Sequence, residues 1–294
     1  TILSDLPAEF HIRLIPALLS TLVVPLGGLI QFSLRPNDRL ASISTAGILL
    51  TLLPIARHGR LAMLDGTQLT AIALLWLILI SLNGSNHDIY KLFGAGIVIS
   101  SLLLMKAPII LPVALGALIP LIKEKRIKTY VNGYSFLIGL IPGISWHVWN
   151  ASIRGLGATW LWWGDGAGRV LFYPGVGSDL GWRVPLIEIL EGGWPWLALL
   201  PFAITWAWFE RHSRWGVWIL SNGIILCSSI FPLRTQLPWY SHPLWLPISL
   251  LCGRLLSWLV QKNKKQKMPF MTAISYVPVF WIFLGFLLII IFLL

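Results

Sequence analysis

Long apolar runs recur along this 294-residue chain and constrain its fold more than any other feature. The hydrocarbon core of a bilayer is about 30 Å thick, so a helix needs about 20 apolar residues to cross it. Because the runs are continuous and do not alternate with polar residues, they predict helices rather than the strands of a membrane barrel. Only 11% of the residues are charged, against about 25% in a typical soluble domain. The chain is therefore predicted to be an all-α, polytopic transmembrane helical bundle.

About ten membrane spans are predicted from these runs. A break is expected between the fourth and fifth spans, in the sequence MKAP at 105–108, because Pro108 disfavours helix at the preceding residue. The chain as a whole, 1–294, is predicted to form a single transmembrane domain with one long extracytoplasmic loop at about 150–183. The predicted spans are 13–34, 40–56, 67–83, 92–106, 107–122, 133–149, 184–209, 215–233, 238–260 and 270–294.

Lysine and arginine predict the orientation of the chain. Cytoplasmic loops are enriched in both residues. If successive spans cross the membrane in opposite directions, the connecting segments fall on two sides. The side with more lysine and arginine is predicted to be cytoplasmic, and it holds the segments 35–39, Lys91, 123–128, 211–214 and 261–267. The other side is dominated by arginine, which binds phosphate better than lysine does because its planar fork donates two parallel hydrogen bonds. Its cations are Arg13, Arg57, Arg60, Lys106, Arg154, Arg169, Arg183 and Arg234.

Three charged residues meet at one predicted hairpin on the outer side. Arg57 and Arg60 are three positions apart and Asp65 follows them. A charge at mid-bilayer costs about 2.5–3.5 kcal/mol on insertion scales, so these residues belong at the interface or in a wet cavity. They predict either an Arg–Asp pair that caps the hairpin or an anionic head-group site with a carboxylate beside it. Lys106 poses a similar choice, between extending to the interface and pointing into a cavity between broken helices.

Two further segments carry polar chemistry on the outer side. The loop 150–183 combines glycines with Asp165, Arg169 and several tryptophans, which suit an interfacial belt or the flat faces of a sugar or isoprenoid. The stretch FPLRTQLPWYSHPLWLP, 231–247, places Arg234, Tyr240 and His242 where lipid-facing sequence would carry leucine. No metal-ligand spacing, nucleotide-binding fingerprint or serine-nucleophile motif is present, and nucleic-acid binding is not indicated.

Six stretches of the chain stand in an order typical of one family. They are EFHIRLIPALLSTL (9–22), ARHGRLAMLDG (56–66), LMKAPIILPVALGALIPL (104–121), GISWHVW (143–149), GAGRVLF (166–172) and RTQLPWYSHPLWLPISLL (234–251). Together they resemble the polyprenyl-phosphate-sugar-dependent membrane glycosyltransferases related to protein O-mannosyltransferases and the lipid A aminoarabinose transferase, which have the GT-C fold. The sequence GGWPW at 192–196 is similar to bacterial members.

The resemblance implies a function and a set of site residues. Such enzymes move a hexosyl or pentosyl group from a polyprenyl-phosphate carrier to a protein, lipid or glycan acceptor, on the extracytoplasmic face of the membrane and without a cofactor. By position, Lys106 would meet the carrier phosphate, Arg57, Arg60 and Asp65 would line the cavity, and Arg234 and Tyr240 would hold carrier or sugar. Arg169 and His242 are further expected substrate-binding residues, and Asp65 is the candidate catalytic carboxylate. We expect an integral protein of a bacterial plasma membrane.

One departure from the family pattern leaves other functions open. The catalytic aspartate of the family lies in the first outer loop, and Thr1 is expected to begin beyond that loop. The chain is then an N-terminally incomplete piece, an inactive relative, or a member in which Asp5 or Glu9 substitutes. A transporter or flippase for a lipid-linked sugar would share the arginines and broken helices, although transporters commonly show an internal repeat, which we do not find here.

Overall fold

The structure, a computed structural model, describes residues 8–61, 63–85, 88–124, 133–157, 159–160, 183–233 and 237–261. These ranges contain α-helices and short 3-10 turns and no strand, which confirms the predicted all-α class. The 3-10 turns are Ala107–Ile109, Trp196–Leu199 and Pro238–Ser241. Twelve helices of seven or more residues lie within these ranges: α1 (Ala8–Thr21), α2 (Val23–Leu34), α3 (Arg39–Thr51), α4 (Leu53–Gly59), α5 (Leu64–Ile80), α6 (Asp88–Lys106), α7 (Ile110–Lys123), α8 (Tyr134–Arg154), α9 (Arg183–Gly192), α10 (Leu200–Phe209), α11 (Arg214–Ile230) and α12 (His242–Gln261).

Nine of the ten predicted spans fall on described residues, and each is largely helical. Among the described residues, four helical segments are long and apolar enough to cross a membrane, and up to six if each of two bent pairs forms one span. The four are Phe10–Leu34, Asp88–Lys123, Tyr134–Arg154 and Pro238–Gln261. The chain is thus an integral membrane protein by the length and composition of its helices. The tenth predicted span, 270–294, lies outside the described residues.

The 36-residue segment Asp88–Lys123 reverses direction at the predicted MKAP break. A straight helix between Lys91 and Glu124 would be roughly 50 Å long at 1.5 Å per residue. Lys91 Nζ instead donates to the carbonyl of Ser81 at 2.7 Å. The neighbouring carbonyl of Ile80 accepts from Arg214 at 2.6 Å, and Arg214 also donates to Glu124 at 3.2 Å. These bonds bring the two ends of the segment together, so α6 and α7 form a hairpin around Ala107–Ile109.

Two predicted spans are not straight. The span predicted at 40–56 bends by 56° between α3 and α4, where Leu52 is extended and Pro54 stands in the first turn of α4. The span predicted at 184–209 turns by 103° between Arg183–Gly192 and Trp196–Phe209, within the sequence GGWPW. Proline lacks the N–H that would continue a helix, so sharp bends occur beside it. The spans predicted at these two places are therefore bent, and each bent pair can form one span.

Helix α12 forms the centre of the bundle. Almost every residue from His242 to Leu255 is buried, and α3, α10 and α11 pack against it. Four tryptophans, Trp76, Trp215, Trp218 and Trp245, are among the largest fully buried side chains. Aromatic side chains of this size bury about 150–250 Å² each, so they contribute much of the contact between the helices. The position of α12 matters for the site, because the helix begins with His242 and the 3-10 turn before it carries Tyr240, two of the predicted site residues.

Close approach of α6 and α8 depends on small residues. A Cβ added to Gly96 would lie 2.8 Å from the Cα of Gly139, so only glycine fits at this crossing. The hydroxyl of Ser100 donates to the carbonyl of Gly139 and accepts from the amide of Gly143, each at 3.0 Å. Interfaces between membrane helices are commonly built from small residues and hydroxyl bonds of this kind. Gly96 meets Gly139 and Ser100, further along α6, meets Gly143, further along α8. The two helices are therefore parallel, and Arg154 lies at the Lys106 end.

The described parts of the segments predicted to be cytoplasmic meet at one end of the bundle. Asp38 caps α3 by accepting from the amide of Ala41 at 3.1 Å and pairs with Arg254 at 3.0 Å. Glu210 pairs with Arg35 and lies 3.9 Å from Arg254. The Arg214–Glu124 pair described above lies at the same end, which we call the charged end. The grouping of these segments is therefore as predicted, and their assignment to the cytoplasm stays a prediction.

Candidate functional site

Lys106 and Asp65 form an ion pair at the opposite end of the bundle from the charged end. Lys106 Nζ lies 2.9 Å from Asp65 Oδ1. Asp65 lies in the first turn of α5 and Lys106 is the last residue of α6. Each charge therefore opposes the helix dipole at its own terminus, which stabilises it. Because the carboxylate takes only one bond from the ammonium group, the remaining N–H donors of Lys106 can meet a ligand.

Tyr240 completes a three-residue cluster with this pair. It lies in the 3-10 turn Pro238–Ser241 that leads into α12. The ammonium group of Lys106 is 4.4 Å from the centre of the Tyr240 ring, a cation–π distance. The side chain of Lys106 retains 36% of its exposure and that of Asp65 retains 11%. The Lys106 cluster, defined as Lys106, Asp65 and Tyr240, is thus a fixed, partly open cation held by a buried carboxylate.

Two histidines, His58 and His242, lie beside the Lys106 cluster, and the sequence did not predict that they meet. The rings of His58 and His242 are 4.8 Å apart, and both side chains are buried. His242 Nδ1 is 2.9 Å from the carbonyl of Trp239, which ties α12 to the 3-10 turn that carries Tyr240. His242 Nε2 and His58 Nδ1 have no hydrogen-bond partner among the described residues. No sequence signal links the two histidines, because they come from different helices far apart in the chain.

Arg57 and Arg60 stand apart from the ion pair. Both are exposed, Arg57 in α4 and Arg60 directly after it. Neither forms a hydrogen bond or ion pair with a described residue, although the charge of Arg57 acts on the carboxyl group of Glu188. The hairpin-capping Arg–Asp pair is therefore wrong, because Lys106 takes the carboxylate of Asp65. Two exposed guanidinium groups remain available to an anion at this end.

The remaining predicted site residues lie outside the described residues. These are Arg169, in the loop 150–183, and Arg234, in the stretch that precedes α12. The helix α8 extends to Arg154, so the loop begins later than predicted. Asp5 falls outside as well. Their assignment to the site stays a prediction from the sequence.

The two cavities described next lie away from the Lys106 cluster. Two cavities of about 380 and 390 Å³ open at the charged end, and neither is lined by a member of the Lys106 cluster. The predicted hollow shared by the outer arginines therefore stays a prediction. In the part of the chain that the structure describes, no group of three or more histidine, cysteine, aspartate or glutamate residues could hold a metal ion.

Part of the chain is similar in sequence to one kind of transferase. The chain is 37% identical over 67 residues to undecaprenyl phosphate-alpha-4-amino-4-deoxy-L-arabinose arabinosyl transferase 2 of Sodalis glossinidius, which is 22% of this chain and 12% of the relative. It is 43% identical over 63 residues to the corresponding transferase of Pseudomonas paraeruginosa, which is 21% of this chain and 11% of the relative. No family model matches the chain.

Structural similarity to known proteins covers much more of this chain than sequence similarity does. The chain superimposes on the structure of ArnT from Cupriavidus metallidurans bound to undecaprenyl phosphate with a TM-score of 0.71 and 15% identity. The match covers 86% of this chain and 48% of ArnT, so the chain spans about half the length of this neighbour. The apo structure of the same protein gives a TM-score of 0.68 over 83% of this chain and 45% of ArnT. The predicted resemblance and the GT-C-like fold are both confirmed.

Proposed function

We propose that this chain is the membrane-embedded part of a glycosyltransferase that takes a sugar from a polyprenyl-phosphate carrier. The observation that carries the proposal is the Lys106 cluster, in which a half-exposed ammonium is held by Asp65 and Tyr240 at one end of an ArnT-like bundle. The substrate would be a lipid-linked sugar, which arrives already activated. The alternatives, a flippase or an inactive relative, gain no support from any feature of the described residues.

Lys106 supplies the electrostatic part of the reaction. As the glycosidic bond breaks, negative charge grows on the phosphate of the leaving lipid. A preorganised cation aimed at this charge lowers the barrier, because it stabilises the transition state more than the ground state. Lys106 is preorganised by two neighbours, since Asp65 holds its Nζ at 2.9 Å and the Tyr240 ring covers it at 4.4 Å.

Asp65 acts mainly through Lys106. Its carboxylate is nearly buried and is engaged by the ammonium group of Lys106. A carboxylate held in this way fixes the position of the ammonium group. The geometry thus supports a positioning role for Asp65 more directly than the predicted catalytic role.

Arg57 and Arg60 bind the carrier phosphate in this proposal. They are exposed and unpaired among the described residues, whereas Arg35, Arg214 and Arg254 at the charged end are committed to carboxylates. Arginine without a protein partner at a membrane surface is suited to a bidentate phosphate contact. The proposed substrate-binding set is completed by Arg169, Arg234, Tyr240 and His242, of which the two arginines rest on sequence alone.

The relatives support the choice of donor, and the charge distribution supports the side of the membrane that the site faces. The relatives are named for undecaprenyl phosphate-linked 4-amino-4-deoxy-L-arabinose, so a lipid-linked pentose of this type is the first donor to test. The acceptor is a hydroxyl or phosphate group of a lipid, protein or glycan. The excess of lysine and arginine at the charged end supports a cytoplasmic location for that end, and in this proposal the Lys106 cluster faces the extracytoplasmic side of a bacterial plasma membrane.

Release of the carrier tests the proposal. The protein is reconstituted into liposomes with undecaprenyl phosphate-aminoarabinose or an undecaprenyl phosphate-hexose, together with lipid A, and free undecaprenyl phosphate is measured by mass spectrometry. We expect carrier release and a sugar-modified acceptor that both depend on Lys106. A flippase would move the donor across the bilayer without breaking the glycosidic bond. Donor translocation with no carrier release from any donor would contradict the proposal.

A further inference from the structure

A cavity of about 380 Å³ at the charged end has a lining rich in positive charge. Its walls are Pro120, Lys123, Glu124, His212, Arg214 and Val217. They come from the end of α7, from the turn before α11 and from the first turn of α11. The cavity lies at the opposite end of the bundle from the Lys106 cluster, so it is separate from the proposed transferase site. We call it the Lys123 cavity.

The hydrogen-bond donors of the Lys123 cavity are not all used within the protein. Lys123 and His212 are exposed and bond to no described residue. Arg214 gives its Nε to Glu124 and its Nη2 to the carbonyl of Ile80, which leaves Nη1 without a described partner. A guanidinium group that is held in place by two of its nitrogens, with the third nitrogen free, is preorganised to donate hydrogen bonds to an anion.

Glu124, the only acidic residue among the described residues of the lining, is already engaged. Glu124 Oε1 accepts from Arg214 at 3.2 Å and from the indole of Trp218 at 2.8 Å. These bonds fix the carboxylate against the protein and offset its charge. The lining therefore has a net positive charge from Lys123 and Arg214, before any contribution from His212. An anionic ligand is expected, since a cation would meet two positive side chains.

The surface next to the cavity indicates that the anion is attached to a lipid. Leu111, Leu115 and Ile119 precede Lys123 at intervals of four residues, so all four lie on one face of α7. The three apolar side chains are exposed to 67%, 45% and 44%. The row thus consists of exposed apolar residues that end in a cation at the mouth of the cavity. Acyl chains can lie along this row while the phosphate enters the cavity.

We propose that the Lys123 cavity binds the phosphate head group of an anionic phospholipid from the leaflet that surrounds the charged end. Lys123, His212 and Arg214 Nη1 hold the phosphate, and the row Leu111, Leu115 and Ile119 holds an acyl chain. Anionic lipids attract lysine and arginine near a membrane surface by about 1 kcal/mol for each cation. This binding site acts independently of the transferase chemistry and would exist in an inactive relative.

Native mass spectrometry of the purified protein tests the site. The protein in detergent is titrated with phosphatidylglycerol or with phosphatidylcholine of the same acyl chains. We expect tighter binding of phosphatidylglycerol, and a loss of about fivefold in the Lys123→Gln variant. The double variant Lys123→Gln/His212→Gln loses more. Arg39→Gln is the matched control, because Arg39 is an exposed cation at the same end and lines neither cavity.

Three outcomes would overturn the proposal. Equal binding of the two lipids, or equal loss in the Arg39→Gln control, would mean that the cavity does not select an anionic head group. Competition with sn-glycerol 3-phosphate at millimolar concentration separates a lipid from a free phosphate. We expect the bound phosphatidylglycerol to persist, because the acyl contacts along α7 are missing from the soluble compound. Full displacement would assign the cavity to a soluble phosphate instead.

Discussion

Lys106 and Asp65 are 41 positions apart in the chain, and their side chains meet at 2.9 Å. The pair joins the end of α6 to the start of α5. Both charges lie where the helix dipoles favour them, so the pair is stable without a ligand and leaves the ammonium group partly open. The proposed reaction depends on this arrangement more than on any other contact.

Removal of the Lys106 charge should abolish most of the transfer. Lys106→Met is expected to lower the rate of carrier release by roughly 10²–10³, the cost of losing one preorganised charge or donor at a developing anion. Lys106→Arg retains the charge and should keep an intermediate rate. The rate is measured as released undecaprenyl phosphate. Arg39→Gln, at the other end, should match the unaltered protein, and wild-type rates in Lys106→Met would refute the assigned role.

Asp65 and Lys106 should behave as one unit in a double-mutant cycle. Asp65→Asn frees the ammonium group from its partner and is expected to lower carrier release. If Asp65 acts only by positioning Lys106, the variant Asp65→Asn/Lys106→Met should be no slower than Lys106→Met alone. Losses that multiply would instead assign Asp65 a role of its own, as the sequence predicted. Carrier-release rates of the four proteins decide between these outcomes.

Arg57 and Arg60 should affect donor binding more than turnover. Each exposed guanidinium contributes a charged hydrogen bond to phosphate, of about 1.5–3 kcal/mol. Arg57→Gln and Arg60→Gln are therefore expected to raise the KM for the lipid donor by roughly tenfold or more, with a smaller change in kcat. Initial rates over a range of donor concentrations measure both constants. Unchanged KM values in both variants would remove the two arginines from the site.

The α6–α8 crossing should tolerate no side chain at Gly139. A Cβ there would lie within 3.0 Å of backbone atoms of Phe93, Gly96 and Ile97. Gly139→Ala is expected to lower the free energy of unfolding by about 1–3 kcal/mol, because backbone cannot move aside as a flexible side chain can. Thermal unfolding in detergent measures the change.

Gly47 provides the control for this substitution. It lies inside α3 with nothing within 4 Å of an added Cβ. Gly47→Ala should leave the stability unchanged or raise it by up to about 1 kcal/mol, because alanine favours the helix. Equal effects at Gly47 and Gly139 would mean that the close approach of α6 and α8 does not contribute to stability.

Arg254 should be needed for the charged end to fold. It is buried, and it pairs with Asp38, which also accepts from Ser257 at 2.6 Å. Arg254→Met leaves the buried carboxylate of Asp38 at the charged end without its cation, and the expected loss is about 3–5 kcal/mol in the free energy of unfolding. Asp38→Asn added to Arg254→Met should restore part of the loss. No change in unfolding temperature for Arg254→Met would contradict the importance of this pair.

The sequence alone predicted where the helices lie and which of their ends share a side. A bilayer admits few structures, so continuous apolar runs leave little choice but spanning helices. Charges concentrate at the ends of those helices, which is why Arg35, Lys91 and Arg214 could be grouped before any contact was known. The break at MKAP was predictable for the same kind of reason, because Pro108 acts on its own neighbours.

Only the tertiary structure decided which polar groups became partners. The sequence left open whether Asp65 pairs with the nearby arginines or stands beside an anionic head-group site, and it gave no reason to bring His58 to His242. Side-chain pairing depends on the angles at which distant helices cross and bend, such as the 103° turn after α9 and the glycine contact of α6 with α8. Those angles are set by packing between residues far apart in the chain, and local residue preferences carry no information about them.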